Sequence, residues 1–360
     1  MEIHQVLVSA SSGDASTNAA MELRSLLRRI GPSDIFARYY DDAMAAEVLP
    51  LKRYARRRSS RPEEDVIILH ATIGEPEVFS FIRDRPERIV LVYHNMSPSE
   101  PFESWDPAFA GLLEGGRREL AELRDRVTLA LAPSRFSADE LLSLGYADVR
   151  VSPLVVDPAA LRATPSDPAT TNHLETMVEG PVVLFVGQLL PHKRPEFLLA
   201  AYHALVTYLL PEVNLIVVGA ARAAPRFRQV LQGFVKELNL SRAWLTGAVT
   251  QQQLVSFFRR ADLFVTASDH EGFCVPLVEA MAFGLPIIAR AQTAIPEVLG
   301  DGGLLLPADA SPLLLAEAMA AVLTDETVRS DLVARSAKRL TAFDPDLARA
   351  TLLENLLDVA

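Results

Sequence analysis

Short aliphatic runs alternate with helical patterns along almost the whole chain, and no other feature restricts the fold as much. In the first half the candidate strands are Gln5–Ala10, Ile35–Tyr39, Val66–His70, Ile89–Tyr93, Thr128–Ala132 and Val149–Val151. In the second half they are Val182–Val186, Leu215–Val218, Ala243–Thr246, Leu263–Thr266, Ile287–Ala289 and Leu304–Leu306. The stretch from Ser16 to Ile30 carries leucines at helical spacing and stops at Gly31-Pro32. Strands separated by helices argue for α/β architecture with parallel, doubly wound sheets. A length of 360 residues favours two domains over one, and 49% apolar residues suffice for two cores. The rhythm fades between Pro158 and Pro181, where Thr164-Pro-Ser-Asp-Pro168-Ala-Thr-Thr171 reads as a linker. The expected domains are therefore residues 1–160 and 181–344, with a terminal helix over Pro345–Val359.

The chemistry is concentrated in the second half. Glu271-Gly272-Phe273-Cys274-Val275-Pro-Leu-Val-Glu279 follows the strand Leu263–Thr266 and precedes Ala280-Met-Ala-Phe-Gly284-Leu-Pro286. Pro276 suits the start of a helix, and Gly284 with Pro286 suits its end. Glu271 is thus expected on a loop and Glu279 on the helix. The backbone N–H groups of a helix start attract phosphate, and a nearby carboxylate can accept two hydrogen bonds from a sugar diol. A second motif, Gly187-Gln188-Leu-Leu-Pro-His192-Lys193-Arg194-Pro195, follows the strand Val182–Val186. Gly187 is expected to let the chain turn, and Lys193 to reach a phosphate as a point charge. Gly247 follows another strand, and Ser268 and His270 share the loop of Glu271.

The first half offers Ser11-Ser12-Gly13-Asp14 after its first strand. Asp14 or Ser16 there can cap the next helix while the Gly13 backbone approaches a phosphate. His94 ends the strand Ile89–Tyr93, where ligands of such sheets collect, and can contact a sugar hydroxyl. His70 ends the preceding strand, with a structural and a functional reading equally open.

Charge and cysteine use exclude several classes. A net charge of −11 argues against a general nucleic-acid binder. The one cysteine, Cys274, can form no internal disulfide, suits a reducing compartment and reads as packing rather than a nucleophile. No metal-ligand spacing stands out. The N-terminus lacks the pattern of a signal peptide, and no apolar run approaches a membrane span. The expectation is a cytoplasmic protein, at most attached to a membrane surface. A basic cluster, Lys52, Arg53, Arg56, Arg57, Arg58 and Arg61, could meet anionic lipid or an acidic acceptor, or be a solvated face offset by Glu63, Glu64 and Asp65.

Taken together, these motifs resemble the retaining nucleotide-sugar glycosyltransferases of family four, which have the two-domain GT-B fold. The resemblance rests on Glu271 to Pro286, on the Gly187–Lys193 loop, and on Ile295-Pro-Glu297-Val-Leu-Gly300-Asp-Gly-Gly303. The first half also looks like bacterial polysaccharide and mannosyltransferases of that family, through Gly13-Asp14-Ala15 with Asn18, Tyr93-His94-Asn95, and Ala132-Pro-Ser134-Arg-Phe136. The resemblance implies two Rossmann-like domains facing a cleft, the first for acceptor and the second for nucleotide sugar, with the terminal helix packed back on the first. It implies that Glu279 holds the ribose hydroxyls, that Glu271 lies by the transferred sugar, that Lys193 stabilises the leaving diphosphate and that His94 contacts the sugar. It implies no metal and no cofactor beyond the nucleotide-sugar donor, with GDP-mannose first and UDP-sugars next, and a glycan or lipid-linked acceptor. One departure matters: the family commonly has Arg where this chain has Gln188, and Arg194 is the candidate to supply that charge. Competing readings are an epimerase or phosphorylase on the same fold, and a nucleotide-sugar-binding partner without catalysis.

Overall fold

The computed structural model describes residues 1–57, 59–220 and 224–359. Arg58 of the basic cluster lies outside the described residues. The chain divides into two compact units. One comprises Met1–Glu103, Pro107–Val155 and the C-terminal segment from Pro345; the other comprises Ser104–Asp106 and Val156–Asp344.

Unit 1 holds seven parallel strands: β1 (Ile3–Ala10), β2 (Ile35–Tyr40), β3 (Val48–Pro50), β4 (Val66–Ala71), β5 (Arg88–Tyr93), β6 (Val127–Ala132) and β7 (Val149–Val151). Their order in the sheet is β3-β2-β1-β4-β5-β6-β7. Unit 2 holds six: β8 (Val182–Val186), β9 (Asn214–Val218), β10 (Ala243–Gly247), β11 (Leu263–Thr266), β12 (Ile287–Arg290) and β13 (Leu304–Leu306), ordered β10-β9-β8-β11-β12-β13. Each sheet reverses its winding once, between β1 and β4 in the first and between β8 and β11 in the second. Such a switch point opens a crevice at the carboxyl ends of the flanking strands.

The central strands are covered on both faces. β4 is buried at every residue, as are β9, β11 and β12. That is why they appear in the sequence as unbroken aliphatic runs rather than alternating ones. β3 was not anticipated: it is a three-residue edge strand, Val-Leu-Pro, and Pro50 is tolerated only because edge positions need not donate.

The stretch expected to be a linker is ordered instead. It forms two helices, Pro158–Ala163 and Pro168–Met177, each with an Asp at the N-cap, Asp157 and Asp167. Leu161 is buried with Val255 and Ala282, and the Asp167 N–H donates to Ser256 Oγ at 2.9 Å. The Pro, Thr and Asp that suggested a linker are cap and first-turn residues. The stretch belongs to unit 2, which accordingly begins at Val156.

The terminal helix, Pro345–Leu357, belongs to unit 1. Leu356 enters a core with Leu23, Val66 and Leu129. Arg349 pairs with Glu22 at 2.6 Å, and Arg88 donates to the Val359 carbonyl at 2.7 Å. In the basic cluster, Leu51 and Tyr54 anchor the short helix Leu51–Ala55. Lys52, Arg53, Arg56 and Arg61 are exposed, Arg57 pairs with Glu2, and Arg61 pairs with Glu64 at 3.0 Å. Among the described residues no helix is long and apolar enough to cross a membrane.

Candidate active site

The loops after β8 and β11, the two strands at the unit 2 switch point, meet side by side. Lys193 Nζ lies 2.5 Å from Glu271 Oε2. The other oxygen of Glu271 accepts from Ser268 Oγ at 2.8 Å, and Ser268 in turn bonds Thr266. The Glu271 backbone is tied to Thr293 in both directions: its N–H donates to Thr293 Oγ1 at 2.8 Å, and its carbonyl accepts from that hydroxyl at 3.0 Å. Glu271 is 7% exposed. Burying a carboxylate is costly unless a cation and hydrogen bonds offset its desolvation, and Lys193 and Ser268 supply them. An ammonium group has three donors, and Glu271 takes one, so Lys193 can still grip an anionic group.

Two non-glycine residues beside this pair adopt left-handed backbone. Arg194 (φ 53°) precedes the Pro195–Tyr208 helix, and Cys274 (φ 73°) precedes the Val275–Ala282 helix. Each costs on the order of 1 kcal/mol relative to ordinary backbone. Neither helix has a side-chain cap. The start of Val275–Ala282 therefore presents N–H donors and a positive dipole end that no side chain satisfies. Pro276 is its second residue, one later than the sequence suggested.

Glu279 stands on this helix, half-buried, with no hydrogen-bonding or ion-pair partner for its carboxylate among the described residues. Desolvation pushes its pKa up to about 7. A carboxylate that is neither paired nor sealed away is available to a diol. Cys274 is buried, and desolvation, reinforced by the Glu271 charge, drives its thiol well above the ordinary value, so it is a packing group. Phe273 is buried as well, and Gly272 and Val275 are partly covered.

The first loop departs from expectation in two places. Gly187 is not in the left-handed region, and a Cβ there would meet only the Phe185 ring at 3.3 Å; the glycine that the close approach of the two loops requires is Gly219. A Cβ on Gly219 would sit 1.7 Å from the Gly187 carbonyl oxygen, and the Gly187 N–H donates to the Val218 carbonyl. Gly219, which sequence reasoning missed, and Gly247 (φ 80°) form with Gly187 a side-chain-free ledge at the ends of β8, β9 and β10. The only signal for Gly219 was its place directly after an aliphatic run. Gln188 is exposed. Arg194 is engaged elsewhere: it bonds Glu196, and its NH1 donates to Asp269 at 2.6 Å. Asp269 also takes Arg290 NH1 at 2.5 Å, and Arg290, 6% exposed, holds the Ala267 carbonyl at 2.9 Å. This Arg194–Asp269–Arg290 clamp fixes the loop carrying Ser268 and Glu271, and no sequence spacing announced it. His270 shares that loop and lies edge-on to His192, centroids 6.3 Å apart.

In unit 1, Gly13 (φ 79°) has no atom within 4 Å of where a Cβ would be, so it is open above and usable only by glycine-like backbone. Asp14 caps the Ala15–Leu27 helix, accepting from the Thr17 N–H at 3.1 Å. His94 follows β5, and its Nε2 is 2.8 Å from His70 Nδ1. Burial drops the His94 pKa to about 4, against the opposing pull of Asp14. The turn at Asn95 (φ 69°) is held by Glu140, which accepts from Tyr93 Oη at 2.7 Å, Asn95 Nδ2 at 3.1 Å and Arg117 Nε at 3.2 Å. The Tyr93-His94-Asn95 motif is thus a device that fixes His94 after the strand. Ser134 of the other motif caps the Arg135–Ser143 helix that carries Glu140. Among the described residues no group of three or more His, Cys, Asp or Glu could hold a metal ion.

Residues 170–339 match the family model of the glycosyl transferases group 1. A D-inositol 3-phosphate glycosyltransferase of Xylanimonas cellulosilytica is 29% identical over 235 residues, 62% of this chain and 55% of that protein. The O-antigen chain mannosyltransferase B of Escherichia coli is 26% identical over 239 residues, 62% of this chain and 58% of that protein. The matched part of the chain thus spans little more than half the length of these curated relatives. Among solved structures, Anabaena Alr3699/HepE in complex with UDP and glucose superposes with a TM-score of 0.75 at 17% identity, covering 99% of this chain and 100% of that one. WaaG, a glycosyltransferase involved in lipopolysaccharide biosynthesis, gives 0.74 at 13% identity over 96% and 98%. With two parallel Rossmann-like sheets and the group 1 sequence pattern through residues 170–339, the chain has the GT-B fold and is similar to glycosyltransferases of the group 1, family-four-like type.

Proposed function

We propose that the protein is a retaining hexosyltransferase that moves a sugar from a nucleotide-diphosphate sugar to a hydroxyl of a glycan or lipid-linked acceptor. The observation that carries this reading is the grouping around Val275–Ala282: an uncapped helix start, the Lys193–Glu271 pair, and the partnerless carboxylate of Glu279. The diphosphate is taken by Lys193 and the helix start, which are pre-placed for the negative charge that grows as the glycosidic bond breaks. Glu279 accepts the ribose diol. Glu271 lies by the sugar and keeps Lys193 in place. The acceptor hydroxyl attacks from the face the leaving group departs, and its proton passes to the departing phosphate oxygen. His94 binds a substrate hydroxyl.

GDP-mannose is the first candidate donor, supported by the likeness to mannosyltransferases, and UDP-sugars come next, supported by the fold shared with a UDP-bound protein. The acceptor belongs to polysaccharide or glycoconjugate synthesis at the cytoplasmic side, where Lys52, Arg53 and Arg56 are available to an anionic membrane surface. Thermal-shift measurements with GDP, UDP and ADP test the binding half. A nucleotide at one hundred times its dissociation constant stabilises the folded state by about 2.7 kcal/mol, so one nucleotide should stand out. No shift with any of them would refute the reading. Product analysis with and without acceptor separates transfer from epimerisation, phosphorolysis or binding alone.

A further inference from the structure

A chain of polar side chains crosses the buried centre of the first sheet, from β1 to the end of β5. Gln5 is wholly buried and His70 is 1% exposed, at the centre of a sheet whose other buried positions are mostly aliphatic. The pairing sets Leu7 opposite His70 and Gln5 opposite Ile68, so Gln5 and His70 share one face of the sheet. Buried polar groups at such positions require partners, and these have them. Gln5 Nε2 donates to the Ala20 carbonyl at 3.1 Å, and Gln5 Oε1 lies 2.8 Å from His70 Nε2. His70 Nδ1 lies 2.8 Å from His94 Nε2. The two imidazole planes are 18° apart with centroids separated by 5.1 Å, so the rings meet edge to edge.

The direction of every bond in this chain follows from its first member. Flipping the Gln5 amide would set its oxygen against the Ala20 carbonyl oxygen, two acceptors facing each other. The amide oxygen therefore faces His70 and can only accept, which makes His70 Nε2 the donor. His70 is neutral, since burial holds its pKa well below the ordinary value. Its Nδ1 then carries a lone pair and accepts, so His94 Nε2 must donate. In neutral His94 the proton is spent there, and Nδ1 is left as an acceptor. That atom has no partner within the protein among the described residues, and it is not sealed from solvent. His70 and His94 also line a pocket with Leu23, Leu131, Leu154 and Leu352.

We infer that Gln5 and His70 are positioning residues that hold His94 in its Nε2–H tautomer, so that His94 Nδ1 recognises only a substrate group that donates a hydrogen bond. This rests on the proposed role of His94 toward a substrate hydroxyl. The consequence is a rule of specificity: a hydroxyl is accepted at this position, whereas fluorine or a methoxy group, which cannot donate, is rejected.

Long-range proton–nitrogen spectra of the full-length 15N-labelled protein test the relay directly, with His94 assigned by His94→Gln. The expected result near neutral pH is a protonated Nε2 and an unprotonated Nδ1 on His94. His70→Asn, whose amide oxygen can replace Nδ1 as the acceptor, should keep that tautomer and stay within about threefold of the parent kcat/KM. His70→Phe removes the acceptor; the His94 signals should show mixed tautomers, and kcat/KM should fall about tenfold, the effect of one hydrogen bond, with nucleotide thermal shifts unchanged. Among mono-deoxyfluoro donor sugars, one position should lose about tenfold with the parent and little further with His94→Gln. The parent spectrum needs no variant, so a misfolded His70→Phe leaves the test intact. A protonated His94 Nδ1, or a tautomer indifferent to His70→Phe, would overturn the relay whatever the activity. The expected tautomer together with unimpaired transfer by His94→Gln would overturn the substrate role of His94 while leaving the nucleotide site of unit 2 standing.

Discussion

The two sheets carry their polar groups in the same topological place and treat charge in opposite ways. At the ends of β8 and β11 charge is retained: Lys193 against Glu271, and Asp269 between Arg194 and Arg290. The surrounding backbone is strained at Arg194 and Cys274 to keep those groups close. Beneath the end of β5 charge is suppressed: two histidines and an amide form a neutral chain, and burial keeps both imidazoles unprotonated. A developing diphosphate needs fixed cations, whereas a sugar hydroxyl needs only a lone pair aimed at it. One fold can carry both arrangements because a switch point supplies a crevice, and the residues placed on its loops decide which chemistry it favours.

The sharpest way to break this contrast is Lys193→Ala. Transfer should fall by about a hundredfold or more, the effect of removing a pre-placed group that stabilises transition-state charge. Stability should also drop, since Glu271 loses its cation, but a melting curve should still show one folded population at assay temperature. Near-normal kcat would remove Lys193 from the mechanism.

Glu279→Gln comes next. Nucleotide affinity should fall by roughly tenfold, as charge-assisted bonds to the diol become neutral ones. Titration calorimetry reads this directly. The pH behaviour should change with it. Binding a diol favours the ionised carboxylate, so the parent's affinity should weaken as pH drops below about 7, the pKa of Glu279. The variant should lose that dependence. The stability signs differ between the two regions. The raised Glu279 pKa means its contribution is present below the unfolded value of 4.5 and lost as pH rises toward 7. The lowered His94 pKa means stability is lost as pH falls from 6.5 toward 4. Glu279→Gln should therefore raise the melting temperature at pH 8 and leave it alone at pH 4. An equal change at both would show that the carboxylate is not desolvated.

The smallest effect is expected from Gln188→Arg. Because Arg194 is committed to Glu196 and Asp269, it is not free to replace a cation at position 188. Adding one to this exposed position should raise kcat by a few-fold, about the value of one exposed charge contact. Lower activity would mean that the loop is tuned to a neutral residue.

Much of this was legible in the residue order, and for identifiable reasons. Every central strand was found because a strand buried on both faces is mostly aliphatic, and the few polar residues in β1 and β4 do not break the run. The Glu271–Glu279 segment was readable because a helix start announces itself by Pro and its end by Gly and Pro. The edge strand Val48–Pro50 was not, since three residues with a proline carry no period. The linker reading failed because Pro, Asp and Thr mark helix starts as well as loops, and only the docking of Leu161 and Asp167 on the second sheet tells the two apart.

From the order of residues alone came two doubly wound sheets, the loops that end their strands, and which of those loops carry charge, because local propensity and hydrophobic period act over a few residues. Only the folded chain decided who pairs with whom: that Lys193 meets Glu271, that Asp269 is shared by two arginines, that Gly219 must be bare because Gly187 lies under it, and that Gln5 points His94's proton through His70. Those partners stand between about 20 and 80 residues apart along the chain, and packing brings them within hydrogen-bonding reach, where no sequence period can follow.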